Sequence, residues 1–156
     1  MNRVAVIRIR GRVHLRKEIE DTLRLMRLYK KNSCVIIKNT EPQIGMLTKV
    51  KDYVTWGEID PETFKMLLDK RGRLAGNVKL TEQYMKEKLK MEYDTFTKEF
   101  FVMKKELRDI PGVKLFFRLC PPVQGFERKG IKKPYSLGGV LGYRKEKINE
   151  LLRKMM

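Results

Sequence analysis

One histidine and two cysteines in 156 residues are too few to assemble a typical four-ligand zinc site. Long apolar runs are also missing. Stretches such as Val35-Ile36-Ile37 are far too short to cross a bilayer, and the opening Met1-Asn2-Arg3-Val4 lacks the apolar core of a signal peptide, so a cytosolic protein without a membrane partner is expected. Acidic residues are scarce at both ends. Residues 1–57 carry 13 basic and 5 acidic side chains (net +8), residues 113–156 carry 11 and 3 (net +8), and residues 58–112 carry 12 and 11 (net +1). The whole chain holds 36 Lys plus Arg against 19 Asp plus Glu, a net charge of +17. Two basic segments flanking a balanced one have the form of a binding surface for a polyanion, because release of condensed counterions supplies affinity independent of sequence. Nucleic acid is the leading partner on charge alone.

The chain is not a disordered basic tail, since apolar residues make up 42% and allow a sizeable core. One domain is the default at this length. Residues 3–10 alternate, with Ala5, Ile7 and Ile9 on one face and Val4, Val6, Arg8 and Arg10 on the other, as a strand requires. A helix follows over about 16–29, with Ile19, Leu23 and Met26 on one stripe. Residues 34–38 read as a second, buried strand. Thr40-Glu41-Pro42 opens a helix that runs to about Lys51, and 53–56, closed by Gly57, reads as a third strand. The order is β-α-β-α-β. The first crossover makes strands one and two candidates for a parallel pair, although pattern alone does not fix pairing direction. Helices on one face leave the other, with Val4, Val6, Cys34 and Ile36, in need of a cover.

The middle is helical. Asp60-Pro61-Glu62 and Leu80-Thr81-Glu82 are helix starts, and a third helix spans about 94–107 with Phe96, Phe100, Met103 and Leu107 as a core stripe. Residues 113–119 alternate Val113, Leu115, Phe117 and Leu119 against Lys114, Phe116 and Arg118, so a strand there is expected to help cover the open face. Cys34 and Cys120 both fall in expected strands and read as buried reduced thiols. Residues 121–143 are rich in Gly, Pro and basic side chains with little period, and 144–155 closes the chain as an amphipathic helix.

Two constellations carry the functional reading. From Gln124 to Tyr143, with the adjoining Arg144 and Lys145, the cations Arg128, Lys129, Lys132, Lys133, Arg144 and Lys145 interleave with Phe126, Tyr135 and Tyr143. Cations for phosphate and aromatics for stacking are what an irregular RNA-binding loop needs; the alternative is a solvated, flexible loop. The second constellation is Arg8, Arg10, Arg12, His14, Arg16 and Lys17, running from the first strand towards a helix N-terminus. Cations at that position oppose the helix dipole, so their presence calls for another cause. Enzyme signatures are weak. Gly72 and Gly76 lack a P-loop ending, Gly138-Gly139-Val140-Leu141-Gly142 does not follow a strand in a βαβ unit, and Ser33 or Ser136 with His14 forms no known motif.

Six stretches resemble the long, archaeal-type form of the large-subunit ribosomal protein L-thirty family, whose eukaryotic relatives are called L-seven. They are IRIRG at 7–11, DTLRLMRL at 21–28, IGMLTKVKDYVTWGEID at 44–60, FRLCPPVQGFERKGIKKPY at 117–135, GGVLGYR at 138–144 and KINELLRKM at 147–155. Coverage is weakest over 61–112, and Cys120 stands where the family pattern has His before the double proline. The resemblance implies an α+β fold, with a small ferredoxin-like β-α-β-α-β core over 1–57 and mixed or antiparallel pairing. A helical segment over 58–112 and a basic strand-loop-helix extension over 113–156, packing on the core, complete it. It further implies a non-enzymatic structural role on cytoplasmic ribosomes, binding large-subunit rRNA near 5S rRNA beside other large-subunit proteins, with no cofactor and no small-molecule substrate. By position, Arg10, Arg12, Arg16, Lys49 and Lys51 match the core shared with the short bacterial form. Arg118, Arg128, Lys129, Lys132, Lys133 and Arg144 belong to the long-form extension. The competing readings are a free RNA-binding factor in rRNA processing and a small-ligand sensor on a ferredoxin-like scaffold.

Overall fold

The computed structural model describes residues 3–156. Its β-branched, alternating segments form one sheet from Arg3–Arg8 (β1), Ser33–Lys38 (β2), Val54–Glu58 (β3), Phe117–Arg118 (β4) and Gly142–Tyr143 (β5), ordered β4-β2-β1-β3-β5. The helices are Lys17–Leu25 (α1), Glu41–Lys49 (α2), Pro61–Arg71 (α3), Glu82–Leu89 (α4), Tyr93–Phe101 (α5) and Ile148–Met155 (α6). The fold is α+β with a mixed sheet: β1 is antiparallel to β2 and to β3, β2 is antiparallel to β4, and only β3 and β5 run parallel.

A parallel β1–β2 pair is therefore ruled out. The α1 crossover does not carry the chain to the far end of the sheet. It returns through Leu28 to the end at which it left, where the Asn32 amide donates to the Arg8 carbonyl at 2.8 Å. The register also corrects the expected faces. Val4 sits opposite Ile37 and Val6 opposite Val35, while Ala5 sits opposite Ile36 and Ile7 opposite Cys34. Val4 and Val6 thus share a face with Val35, not with Cys34 and Ile36.

Each face has its own cover. Leu23 of α1 and Leu47 of α2 pack with Val4, Val6, Val35 and Val54. On the other face, Ala5, Ile7, Ile9 and Cys34 meet Phe64 and Leu67 of α3, Phe96 and Phe100 of α5, Phe117 of β4, and Ile148, Leu151 and Leu152 of α6. The cover expected from 113–119 is real but shared. Only Phe117 and Arg118 pair with β2, because the main chain turns away before them to bond Arg73, whose carbonyl accepts from the Lys114 amide at 2.8 Å. The charge-balanced middle segment supplies much of the rest. Phe64 and Phe100 stack at 4.3 Å between ring centroids and 10° between planes, an aromatic pair that adds to area burial alone.

Other boundaries shift for local reasons. Helix α5 stops at Phe101, well short of Leu107, since Met103 adopts φ 66 and turns the chain. The buried Arg3 guanidinium then serves the helix end. It donates from Nε (3.2 Å) and Nη2 (3.0 Å) to the Phe100 carbonyl, donates to the Lys105 carbonyl at 3.1 Å, and lies 3.9 Å from the Phe100 ring centroid. Helix α6 begins at Ile148 after a 3₁₀ turn over Lys145–Lys147. Gly57 does not close β3 but lies inside it, opposite Ala5.

Cys34 is fully buried, and burial pushes its thiol up to about 12. Cys120, expected to be buried, is exposed just past β4 with a free thiol. A maleimide or disulfide reagent at neutral pH should therefore modify one thiol per native chain and the second only after unfolding. Rapid native modification of both would contradict the burial of Cys34.

Candidate nucleic-acid interface

Strand pairing decides which basic segments come together. Arg8, the last residue of β1, pairs with Val54 at the start of β3 and lies beside Ser33 at the start of β2. Arg118 of β4 pairs with Ser33, and Gly142 of β5 pairs with Thr55. One end of the sheet thus collects the loop after β1 (9–16), the segment before β2 (28–32), the turn before β3 (50–53) and both ends of the segment joining β4 to β5 (119–141). Short bonds hold these pieces together. The Ile9 amide donates to the Tyr53 carbonyl at 2.9 Å and the Leu119 amide to the Asn32 carbonyl at 2.9 Å. Both +8 segments of the sequence reach this end.

Arg12, His14, Arg16 and Lys17 are exposed here, with Lys51 from the neighbouring turn. Arg12 donates from Nε (3.0 Å) and Nη2 (2.6 Å) to the Tyr29 carbonyl, which joins the first loop to the segment before β2. Arg10 is half-buried, donates to the Asp52 carbonyl at 3.2 Å and lies 5.0 Å from the Tyr53 ring centroid. Arg16 occupies the N-cap of α1 without a side-chain capping bond, so its cation is turned outward and the cap gains nothing from it. Lys49 faces Glu18 at 3.8 Å, an exposed pair of little strength. Two further cations belong to this end and were not expected, Lys30 and Lys31, both exposed directly before β2. Their adjacency was visible in the sequence, but the antiparallel return of the chain that brings them here was not. Among the described residues, Arg12, Arg16, Lys17, Lys30, Lys31 and Lys51 have no carboxylate within ion-pair distance.

The extension divides into exposed cations and struts. Arg118, Arg128, Lys129, Lys132, Lys133 and Lys145 are exposed. The Lys129 stem lies over Gly138, where an added Cβ would come within 3.4 Å of its Cδ. Arg144 is different: only 3% exposed, it donates to Thr55 Oγ1 at 2.9 Å, to the Val140 carbonyl at 3.0 Å and to Glu127 at 2.6 Å, with its guanidinium 4.6 Å from the Tyr135 ring centroid. Every nitrogen of that guanidinium donates within the protein, so Arg144, buried, ties β5 and the loop to β3 and is not open to a phosphate. Tyr135, half-buried beneath it, has one ring face committed.

Arg8 needs the same correction. It is 1% exposed. Its donors go to the carbonyls of Arg10 (3.0 Å), Gly11 (2.9 Å), Leu28 (2.7 Å) and Tyr29 (3.4 Å). Alternation put it on the Val4–Val6 face correctly, but that face is covered by α1 and α2, so a side chain there is buried. Burial, and then the neighbouring Arg12 charge, hold its guanidinium below the usual range. Arg8 shapes the loop that displays Arg10 and Arg12.

The chain is thus a basic α+β protein with a mixed sheet whose loops gather cations without carboxylate partners at one end. Residues 4–54 match the family described as Ribosomal protein L30p/L7e. Over nearly its full length the chain is similar to the large ribosomal subunit protein uL30 of Methanopyrus kandleri, 50% identical over 151 residues, which cover 95% of this chain and all of the relative. It is 49% identical over 152 residues to that of Methanococcus vannielii, covering 97% of this chain and 98% of the relative. To that of Nanoarchaeum equitans it is 50% identical over 148 residues, 95% of each. The chain belongs to the ribosomal protein L30p/L7e family, in its archaeal form. Membership makes it a structural ribosomal protein of the cytoplasm and not an enzyme.

Proposed function

We propose that this chain is a structural constituent of the large ribosomal subunit that binds large-subunit rRNA through the cations at the Arg8 end of the sheet, in the neighbourhood of 5S rRNA and of other large-subunit proteins. The observation that carries the reading is the convergence of three separate chain segments on one end, each bringing cations without carboxylate partners. Such a set is costly to hold together unless an anion neutralises it. The exposed Arg128, Lys129, Lys132 and Lys133 of the long loop offer further cations. The vicinity of 5S rRNA rests on the family resemblance alone.

Two measurements test this. On sucrose gradients in magnesium, the tagged chain should travel with large subunits; material remaining at the top would instead mark a free factor. The second is binding to deproteinised archaeal large-subunit rRNA by a variant carrying Arg12→Gln, Arg16→Gln, Lys17→Gln and Lys51→Gln. Its slope of log K against log salt should be shallower by about three units, at roughly 0.7–0.9 for each phosphate that is no longer neutralised. An unchanged slope would remove this end of the sheet from the interface.

A further inference from the structure

Beyond the β4 edge of the sheet lies a cleft of about 130 Å³ lined by Arg71, Arg73, Asn77, Lys114, Phe116 and Arg118. Four of its six walls are cations, two from the charge-balanced middle segment, one from the run into β4 and one from β4 itself. None of the four has an Asp or Glu carboxylate within ion-pair distance among the described residues.

The cleft is built from fixed pieces. Helix α3 ends at Arg71, where Gly72 leaves the helical conformation (ψ 129), and its absent Cβ leaves room for the Leu68 carbonyl oxygen 2.3 Å from where it would stand. Residues 73–74 then run beside 113–114, with the Lys114 amide on the Arg73 carbonyl at 2.8 Å and Leu74 bridging Val113. The cationic groups, in contrast, are poorly served. Arg71 donates one nitrogen to the Met156 main-chain oxygen (2.6 Å) and Cys120 Sγ (3.0 Å), while its Nε is buried without a partner. Arg73 reaches only the carbonyl of its neighbour Gly72 at 3.2 Å, and Lys114 Nζ only Asn77 Oδ1 at 3.2 Å. Arg118 is exposed. A half-buried set of like charges with spare donors is a binding geometry for an anion with several acceptor oxygens.

We infer that this cleft takes a phosphate of the RNA backbone, making the middle segment a second contact region of the same interface. The inference rests on the rRNA-binding reading. An RNA phosphate is favoured over a free anion by continuity. Arg118 pairs with Ser33 at the cationic end of the sheet, and Phe116 meets Tyr29 edge-on at 5.6 Å. The cleft wall is thus joined to the segment that carries Lys30 and Lys31, and a strand leaving that end runs directly onto Arg118. Phe116 offers an apolar wall beside the phosphate for the adjoining sugar or base.

The test uses the full chain, deproteinised archaeal large-subunit rRNA and, separately, inorganic phosphate at matched ionic strength. Arg73→Gln with Lys114→Gln leaves the core and the sheet end untouched. It should weaken RNA binding about tenfold near 0.1 M salt and reduce the salt slope by about 1.5 units, while Arg73→Lys alone keeps the slope. Equal melting temperatures would confirm that the variant folds. If the double variant retains the wild-type slope while the sheet-end variant loses its own, the cleft inference fails and the general reading stands. If both retain it, the general reading fails too. If the double variant loses only a stabilisation of the free chain by inorganic phosphate, the cleft is a free-anion site and the RNA assignment is overturned.

Discussion

Arg8→Met should lower the melting temperature by roughly 6–12 °C, yet leave the salt slope of RNA binding at the wild-type value. The first half follows from four carbonyls that share one buried guanidinium. Hydrogen bonds to a charged donor contribute about 1.5–3 kcal/mol each, but the four do not add. Water can reach the carbonyls of Arg10, Gly11 and Tyr29 once the guanidinium is gone, and the cost of burying the cation is recovered. The Leu28 carbonyl, bonded at 2.7 Å inside the protein, has no such relief. A net loss of about 3 kcal/mol is expected, and each kcal/mol moves the melting temperature of a chain of this size by roughly 2–4 °C. The second half follows from burial: a side chain that touches no phosphate releases no counterion when removed. Affinity should fall modestly as the loop loosens, with the slope unmoved. A slope smaller by a full unit would show that Arg8 reaches RNA, and a melting temperature within about 2 °C of wild type would show that its four bonds are not holding the loop.

This separation of loop-shaping from exposed arginines could not be read from the sequence. Charge, spacing and alternation treat Arg8 and Arg12 alike, because whether an arginine meets solvent or a ring of carbonyls depends on which face α1 and α2 cover. Arg144 escaped for the same reason, its partner Thr55 lying in a strand 89 residues away. Elements with strong local signals were legible. The alternation of 3–10, the Thr40 and Asp60 helix starts and the apolar stripe of 148–155 all name their structures because the cause is local. Pairing direction was not, since a nine-residue helix followed by a return loop looks the same in sequence as a crossover to a parallel strand. Strand β5 had no pattern to read, being two residues with Gly142 at φ 87. The cationic cleft was hidden by averaging: Arg71 and Arg73 sit in a segment whose net charge is close to zero, and only the chain pairing at 73–74 and 113–114 brings them to Lys114 and Arg118.

Gly57→Ala should be among the most destabilising single-methyl additions in this protein, while Gly45→Ala should stabilise it. A Cβ on Gly57 would lie 2.0 Å from the Lys145 carbonyl oxygen, 3.0 Å from its carbon and 3.1 Å from Ile148 Cβ. Neither side can yield easily. Gly57 is held in the ladder opposite Ala5, and Lys145 leads directly into the turn that opens α6. That turn is pinned by Asn149, whose Oδ1 accepts from the Asp60 amide at 3.0 Å and whose Nδ2 donates to the carbonyls of Glu58 (3.1 Å) and Glu146 (2.8 Å). To admit the methyl, α6 must lift from the sheet and draw Ile148, Leu151 and Leu152 out of the core. Overpacking typically costs about 1–3 kcal/mol, and a clash against main chain on both sides puts this case at about 3 kcal/mol or above. Gly45 lies inside α2 with nothing within 4 Å of its would-be Cβ, so alanine there should add about 0.5–1 kcal/mol through helix propensity. Urea unfolding reads both signs, and hydrogen exchange locates the first: α6 amides in Gly57→Ala should lose protection before those of β1 and β2. If the two substitutions shift the urea midpoint in the same direction, the close approach of β3 and the α6 turn is not what seats the C-terminal extension on the sheet. The extension would then be held mainly by the Arg144 network and the apolar face of α6, and its docking would tolerate a gap that the observed packing does not contain.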